Sequence, residues 1–257
     1  MKKQSLQERI EAANKEGRMA RIPFLTADFP NPEAFMQALR ELDENGADII
    51  EIGVPFSDPV ADGPVVEKAS RQVLEAGTSL GSLLHSLAVS AFRPQAPLVL
   101  MGYYNPFLQF GLEKLADLAS AVGVQGFIVP DLPLEEDAPM RRVLSAKGLD
   151  LIALVGPNTS FERMTEYAEK ATGYVYVVSV MGVTGTRDGL PPEAMDTIAR
   201  AKRAFRLPVA LGFGIQGPDQ LRDASVRPDA VVFGSALLKA LSNGGTAKEF
   251  MKPWLQM

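Results

Sequence analysis

Glu51 is the residue of this chain best placed to move a proton. It interrupts the β-branched run Ile49–Val54, and an acid buried in an apolar strand must be paired, neutral or turned to water, because a lone buried charge is costly. A loop follows with two more acids, Asp58 and Asp62, and Pro64 then opens a helix, proline being well suited to a first helical position. Strand alternation sets Glu51 on the side of Ile49 and Gly53, opposite Ile50 and Ile52. A carboxylate at a strand end and another on the adjoining loop can share a site and act as an acid/base pair. Structural roles are open to the same residues: Glu51 as a buried acid paired with a lysine or a backbone amide, Asp62 as a turn or capping residue, and Asp58 as a turn acid.

Three glycine sites close later apolar runs: Gly182-Val-Thr-Gly185, Gly212-Phe-Gly214 and Gly234-Ser235. The last opens a helix, and backbone N–H groups at a helix N-terminus hold phosphate when no side chain intervenes. In a parallel barrel, the loops after strands seven and eight form a recurring phosphate site of this kind. Glycines also ease tight strand–helix turns without binding anything. The absences narrow the chemistry. None of the eleven lysines lies in an apolar run, which leaves a Schiff-base mechanism without a nucleophile. The single histidine, His85, sits among leucines on a helical pattern, and there is no cysteine, so no metal site is expected. No GxGxxG follows the first run, against a dinucleotide. Cofactor-free acid/base work on a phosphate-bearing substrate remains.

These groups need a scaffold that brings strand ends together. Eight short apolar runs recur, Ile22–Ala27, Ile49–Val54, Pro97–Tyr103, Gly126–Asp131, Leu151–Pro157, Val175–Val180, Pro208–Gly214 and Ala230–Ser235, each followed by a helical pattern. Near-continuous apolar strands covered by helices are what a parallel sheet requires. Eight such units predict an α/β protein of the (β/α)8 barrel class, with an open doubly wound sheet as the rival. Ser5–Lys15 predicts an extra N-terminal helix. The long gap after the second run holds an additional helix, Val65–Ala76, before Leu80–Ser90, and the gap after the sixth holds the glycine-rich segment 181–190. In a barrel both insertions fall on the C-terminal face, where active sites lie. No linker or composition break divides the chain, so residues 1–257 are expected to form a single domain.

The composition, 46% hydrophobic and 22% charged in 257 residues, suits a globular protein with a sizeable core. A net charge of −5 without a basic run makes nucleic acid and anionic membranes poor partners. The N-terminus lacks the apolar segment of a signal peptide, and no apolar run approaches the roughly 18 residues of a membrane span. A cytoplasmic location is the expectation.

The stretch Glu51-Ile-Gly-Val-Pro-Phe-Ser-Asp-Pro-Val-Ala-Asp-Gly-Pro64 resembles the signature of the tryptophan synthase α-subunit family. Met101-Gly-Tyr-Tyr-Asn-Pro106, Pro130-Asp-Leu-Pro133, Gly182-Val-Thr-Gly185, Gly212-Phe-Gly-Ile215 and Phe233-Gly-Ser235 match as well, in the right order over essentially the whole chain. The resemblance implies a (β/α)8 TIM barrel that cleaves indole-3-glycerol phosphate to indole and glyceraldehyde 3-phosphate, without a cofactor. It implies a β-subunit partner in an assembly of two α and two β chains. Glu51 matches the acid/base acting on the glycerol hydroxyl and indole C3, and Asp62 the carboxylate that meets the indole N–H. Gly185, Gly214, Gly234 and Ser235 match the phosphate cradle, while Phe24, Tyr103, Tyr176 and Thr184 match substrate contacts.

Two departures stand out. Thr26-Ala-Asp-Phe-Pro30 replaces the family's usual Thr-Ala-Gly-Asp-Pro, and Met181 stands where threonine is common. Three other readings remain open at this point: a stand-alone indole-3-glycerol phosphate lyase, a non-catalytic activator of a β subunit, and another phosphosugar barrel such as an isomerase.

Overall fold

A computed structural model of the chain describes residues 4–179, 189–212, 214–222 and 224–256. The strands are β1 (Ala20–Thr26), β2 (Ile50–Gly53), β3 (Leu98–Met101), β4 (Val124–Ile128), β5 (Asp150–Leu151), β6 (Ala153–Val155), β7 (Val175–Val178), β8 (Val209–Gly212) and β9 (Ala230–Phe233). They pair in the order β5-β4-β3-β2-β1-β9-β8-β7-β6, and every described pairing is parallel. β5 and β6 are two halves of one run interrupted at Ile152, the first paired with β4 and the second with β7. The sheet therefore returns to itself as an eight-stranded barrel, and the open-sheet alternative, which needs two free edges, is excluded.

The helices are α1 (Leu6–Lys15), α2 (Pro32–Glu44), α3 (Pro64–Glu75), α4 (Leu80–Val89), α5 (Tyr104–Phe110), α6 (Leu112–Ala121), α7 (Ala138–Ala146), α8 (Phe161–Ala168), α9 (Pro192–Ala204), α10 (Ser235–Ser242) and α11 (Ala247–Met251). Their starts follow local chemistry. Asn31 Oδ1 accepts the Ala34 N–H at 2.9 Å ahead of Pro32, and Ser160 Oγ accepts the Arg163 N–H at 3.1 Å, each satisfying a helix-end donor. The additional helix expected after the second strand is α3. Helix α5 was not expected, because seven residues with an internal proline are too few to show a helical period.

Strand alternation divides the core into two layers. Ile50 and Ile52 pack outward among the helices with Leu98 and Leu100. Ile49, Val99, Ile128, Ile152 and Val232 fill the barrel interior. Leu6, Ile10 and Ala13 of α1 join that interior cluster and close the N-terminal end of the barrel. Burying one leucine in this way contributes about 1.5–3 kcal/mol. β4 begins at Val124, two residues ahead of the expected Gly126. Gly126 is an interior strand position whose Cβ would stand 2.8 Å from Leu6 Cδ1, so the helix plug requires glycine there.

Candidate active site

Glu51 lies on β2 in register with Phe24 of β1 and Val99 of β3. Its side chain points into the barrel and is 0% exposed. The Tyr174 hydroxyl donates to Oε1 at 2.8 Å. Oε2 has no hydrogen-bond partner among the described residues. No cation is a cause of its titration shift. Burial pushes the carboxyl up to about 8, against a smaller downward pull from the Tyr174 hydrogen bond. A carboxyl shielded from water and given one weak donor holds its proton at neutral pH. The lysine-paired alternative for Glu51 is therefore not what the fold provides.

Asp62 sits one residue before Gly63, the N-cap of α3. Burial raises its carboxyl to about 6, with the charge of Glu67 adding to the shift. The loop carrying it is pinned at several points. Asp62 N donates to Pro59 O at 3.0 Å, and Ala61 N donates to the Tyr103 hydroxyl at 2.9 Å. The Tyr103 ring meets Phe56 with centroids 5.2 Å apart, and burial raises its hydroxyl to about 12. Asp58 accepts from the neighbouring Ser57 hydroxyl at 2.6 Å, as a turn acid should. Tyr176 connects the two carboxyls. Its buried hydroxyl is pushed well up, first by burial and then by the charges of both Glu51 and Asp62.

A pocket opens at the C-terminal ends of the strands, with Asp62 in its wall and fully buried Glu51 outside its lining. Phe24, Asp62, Tyr176, Gly214, Gly234 and Ser235 line it, together with Val66, Met101, Ile215 and Val232. Tyr103 is not part of the lining either, and its hydroxyl accepts the Ala61 N–H of the Asp62 loop. The four apolar wall residues escaped the sequence reading, although Met101 and Val232 hold inward positions on strands already recognised. Thr184 and Gly185 lie outside the described residues, as does Met181.

The strand-end glycines have a packing role besides any role toward phosphate. A Cβ on Gly53 would stand 2.4 Å from Phe24 Cζ, and one on Gly234 would stand 2.8 Å from Phe24 Cδ1, so the Phe24 ring is wedged between the ends of two strands. A Cβ on Gly212 would fall 2.0 Å from the Tyr176 hydroxyl. Gly214 has φ 78, the left-handed region open to glycine. Gly234 and Ser235 stand at the start of α10, with Gly234 O accepting the Leu238 N–H at 2.8 Å. No lysine or arginine lines the pocket among the described residues, and backbone N–H groups at a helix start are what these residues offer an anion.

Comparison with known proteins agrees with this geometry. Residues 10–254 match the family model described as tryptophan synthase alpha chain. The chain is 60% identical over 251 residues to the tryptophan synthase alpha chain of Nitratidesulfovibrio vulgaris, covering 98% of each. It is 61% identical over 251 residues to that of Desulfovibrio desulfuricans, covering 97% of this chain and 98% of the other. Among solved structures, tryptophan synthase subunit alpha from Legionella pneumophila superposes with a TM-score of 0.82 at 31% identity, over 95% of this chain and 92% of that one. A chain of Mycobacterium tuberculosis tryptophan synthase gives 0.85 at 33% identity, over 93% and 91%. The chain belongs to the tryptophan synthase α-chain family, lyases that cleave indole-3-glycerol phosphate in tryptophan biosynthesis and imply a β-subunit partner.

Proposed function

We propose that Glu51 and Asp62 carry the cleavage between them, in opposite protonation states. The observation behind this reading is that burial sets the two carboxyls on either side of neutral pH, Glu51 at about 8 and Asp62 at about 6. Titratable groups pushed apart in this way mark the acid and the anion of one site. Protonated Glu51 gives its proton to indole C3. The positive charge that develops on the ring nitrogen is met by ionised Asp62 through the indole N–H. Glu51, now a carboxylate, takes the proton of the glycerol hydroxyl next to the breaking bond. The C–C bond opens, its electron pair returns to the ring, and indole and glyceraldehyde 3-phosphate leave. Glu51 ends the cycle protonated, and no cofactor is required.

Phe24 and Tyr176 border the indole and glycerol in this reading. Backbone N–H groups at Gly214, Gly234 and Ser235 receive the phosphate. Thr184 and Gly185 add contacts of the kind the family resemblance implies. Tyr103 acts through the Asp62 loop. The chain works as one barrel domain, in the cytoplasm, within an assembly of two α and two β chains; no helix among the described residues is long and apolar enough to cross a membrane. The face around the pocket supports a protein partner there. Val60, on the Asp62 loop, is 82% exposed, and Leu108 of α5 is 49% exposed.

Indole release from indole-3-glycerol phosphate, measured for the wild type, Glu51→Gln and Asp62→Asn with and without a saturating β subunit, tests this assignment. Each variant should lose at least about 10²-fold in kcat with a smaller change in KM. A folded Glu51→Gln protein that keeps more than roughly a tenth of wild-type kcat, well short of the loss expected for an acid/base, would remove Glu51 from the mechanism. Equal wild-type activity with and without the β subunit would favour a stand-alone lyase.

A further inference from the structure

The loop after β1 carries a residue whose conformation needs a reason. Asp28 has φ 58, the one positive φ of a non-glycine residue among those described. This left-handed conformation is unfavourable for a residue with a Cβ, although Asp and Asn tolerate it best. Its side chain is also 6% exposed, and Oδ1 makes no hydrogen bond among the described residues. A strained backbone and a desolvated carboxyl at one position persist only where the surroundings hold them in place. What holds Asp28 is Thr78, whose hydroxyl donates to Oδ2 at 3.0 Å.

Thr78 belongs to the end of α3. Its N–H donates to Val73 O at 2.9 Å, and Gly77, at φ 92, donates to Leu74 O at 2.9 Å, which closes the helix in a left-handed turn. Two further ties run in parallel. The Gln72 amide donates to Pro30 O at 2.9 Å. Phe29, 5% exposed, packs in the same apolar cluster as Ala69 and Val73 of α3. The Asp28-Phe29 departure from the family pattern is therefore tied to α3 through Thr78 and the apolar cluster it shares with Ala69 and Val73.

That element borders the reaction. α3 follows Asp62-Gly63 directly, its Val66 lines the pocket, and it packs on α10, whose first turn forms the opposite wall. We propose that Asp28 is a positioning residue. Through Thr78 it clamps the far end of α3 against the loop after β1, so that Val66 keeps its place in the wall that receives the substrate. The inference rests on the assignment of this pocket to indole-3-glycerol phosphate. The working group is a buried hydrogen-bond acceptor, and an amide oxygen would serve as well as a carboxylate oxygen.

The test is steady-state indole release, well below the melting temperature, by Asp28→Ala, Thr78→Val, the double variant and Asp28→Asn, each checked by far-UV CD. Losing the clamp should raise KM for indole-3-glycerol phosphate about 5-fold, the worth of one hydrogen bond, with kcat within about 2-fold. Thr78→Val on an Asp28→Ala background should add nothing, since one contact is already gone. Asp28→Asn, which accepts the same hydrogen bond and also tolerates positive φ, should restore wild-type KM. Thr78→Val nearly preserves shape, so it carries the test if Asp28→Ala fails to fold. Unchanged KM in folded Thr78→Val, additive effects in the double variant, or failure of Asn to rescue would each overturn the clamp. Full activity of Glu51→Gln would instead bring down the reading of the pocket and leave these KM comparisons standing.

Discussion

Asp48 and Glu51 are three residues apart on one strand approach, and both are buried, 8% and 0% exposed. They face opposite fates. At the N-terminal end, Asp48 receives both outer nitrogens of Arg18 at 2.6 and 2.9 Å and the Arg21 backbone N–H at 2.8 Å. Arg18 in turn is held in its charged form chiefly by that hydrogen bond. Toward the C-terminal end, Glu51 receives one tyrosine hydroxyl, no cation, and leaves one oxygen without a partner among the described residues. The barrel spends its cations on the end that must hold together and withholds them from the end that must exchange protons. A fully satisfied carboxylate is a poor acid and a poor base; an undersatisfied one is reactive. This is the division of a barrel into a stability face and a catalytic face, drawn here across one strand and the residues leading into it.

Exchanging the two acids for uncharged residues should separate those roles. Glu51→Gln should reduce kcat by about 10²- to 10⁴-fold while the protein stays folded. Asp48→Ala should leave kcat near wild type and lower stability by about 2–3 kcal/mol, because it strands the buried Arg21 N–H and leaves Arg18 with Glu16 alone. Urea unfolding read alongside indole release checks both. An Asp48→Ala protein of normal stability, or one with catalysis impaired as severely as in Glu51→Gln, would erase the contrast.

Glycines sharpen the same comparison on a smaller scale. Near the pocket, Gly212→Ala would bring a methyl group 2.0 Å from the Tyr176 hydroxyl and drive that ring toward the substrate. Overpacking of this kind costs about 1–3 kcal/mol, and expressed in kcat/KM it is about 10-fold. At the other end, Gly173 has φ 76, and a Cβ there would stand 3.0 Å from Asp150 Oδ2. Gly173→Ala should cost about 1 kcal/mol of stability or more through its incompatible backbone and leave KM unchanged. Kinetics and thermal melts on the two variants, side by side, decide it.

How much of this was legible in the sequence depends on how far apart the interacting residues lie. The eight apolar runs were readable because a parallel strand covered by helices needs little but apolar residues, and the strands observed fall on all eight. Glu51 and Asp62 were readable because a carboxyl in such a run, or beside a helix start, breaks a local pattern. Tyr174 was not, because nothing local ties it to Glu51, 123 residues away. The same holds for the hydrogen bond from Ala61 N to the Tyr103 hydroxyl, and for the wedge of Phe24 between Gly53 and Gly234. The short α5 was not legible because seven residues with an internal proline show no helical period. The Asp28-Phe29 departure was visible as a difference, but its target, α3, emerges only in three dimensions.

The smallest expected effect is also the most direct reading of Glu51's surroundings. Its carboxyl titrates at about 8 in the folded chain against an ordinary value of 4.5, so between those limits the folded state binds a proton that the unfolded chain has released. The stability associated with neutral Glu51 is therefore complete below about 4.5 and is lost progressively as pH rises through about 8. Asp62 follows the same sign over a narrower window, from 3.8 to about 6. Glu51→Gln carries no proton to lose, so its melting temperature relative to wild type should climb as pH is raised from about 5 to 9 and level off beyond. The same two ionisations should bound wild-type kcat/KM, with an acid limb near 6 from Asp62 and an alkaline limb near 8 from Glu51. If the melting difference between Glu51→Gln and wild type stays flat with pH, Glu51 is ionised in the resting enzyme, and the proton for indole C3 must come from elsewhere.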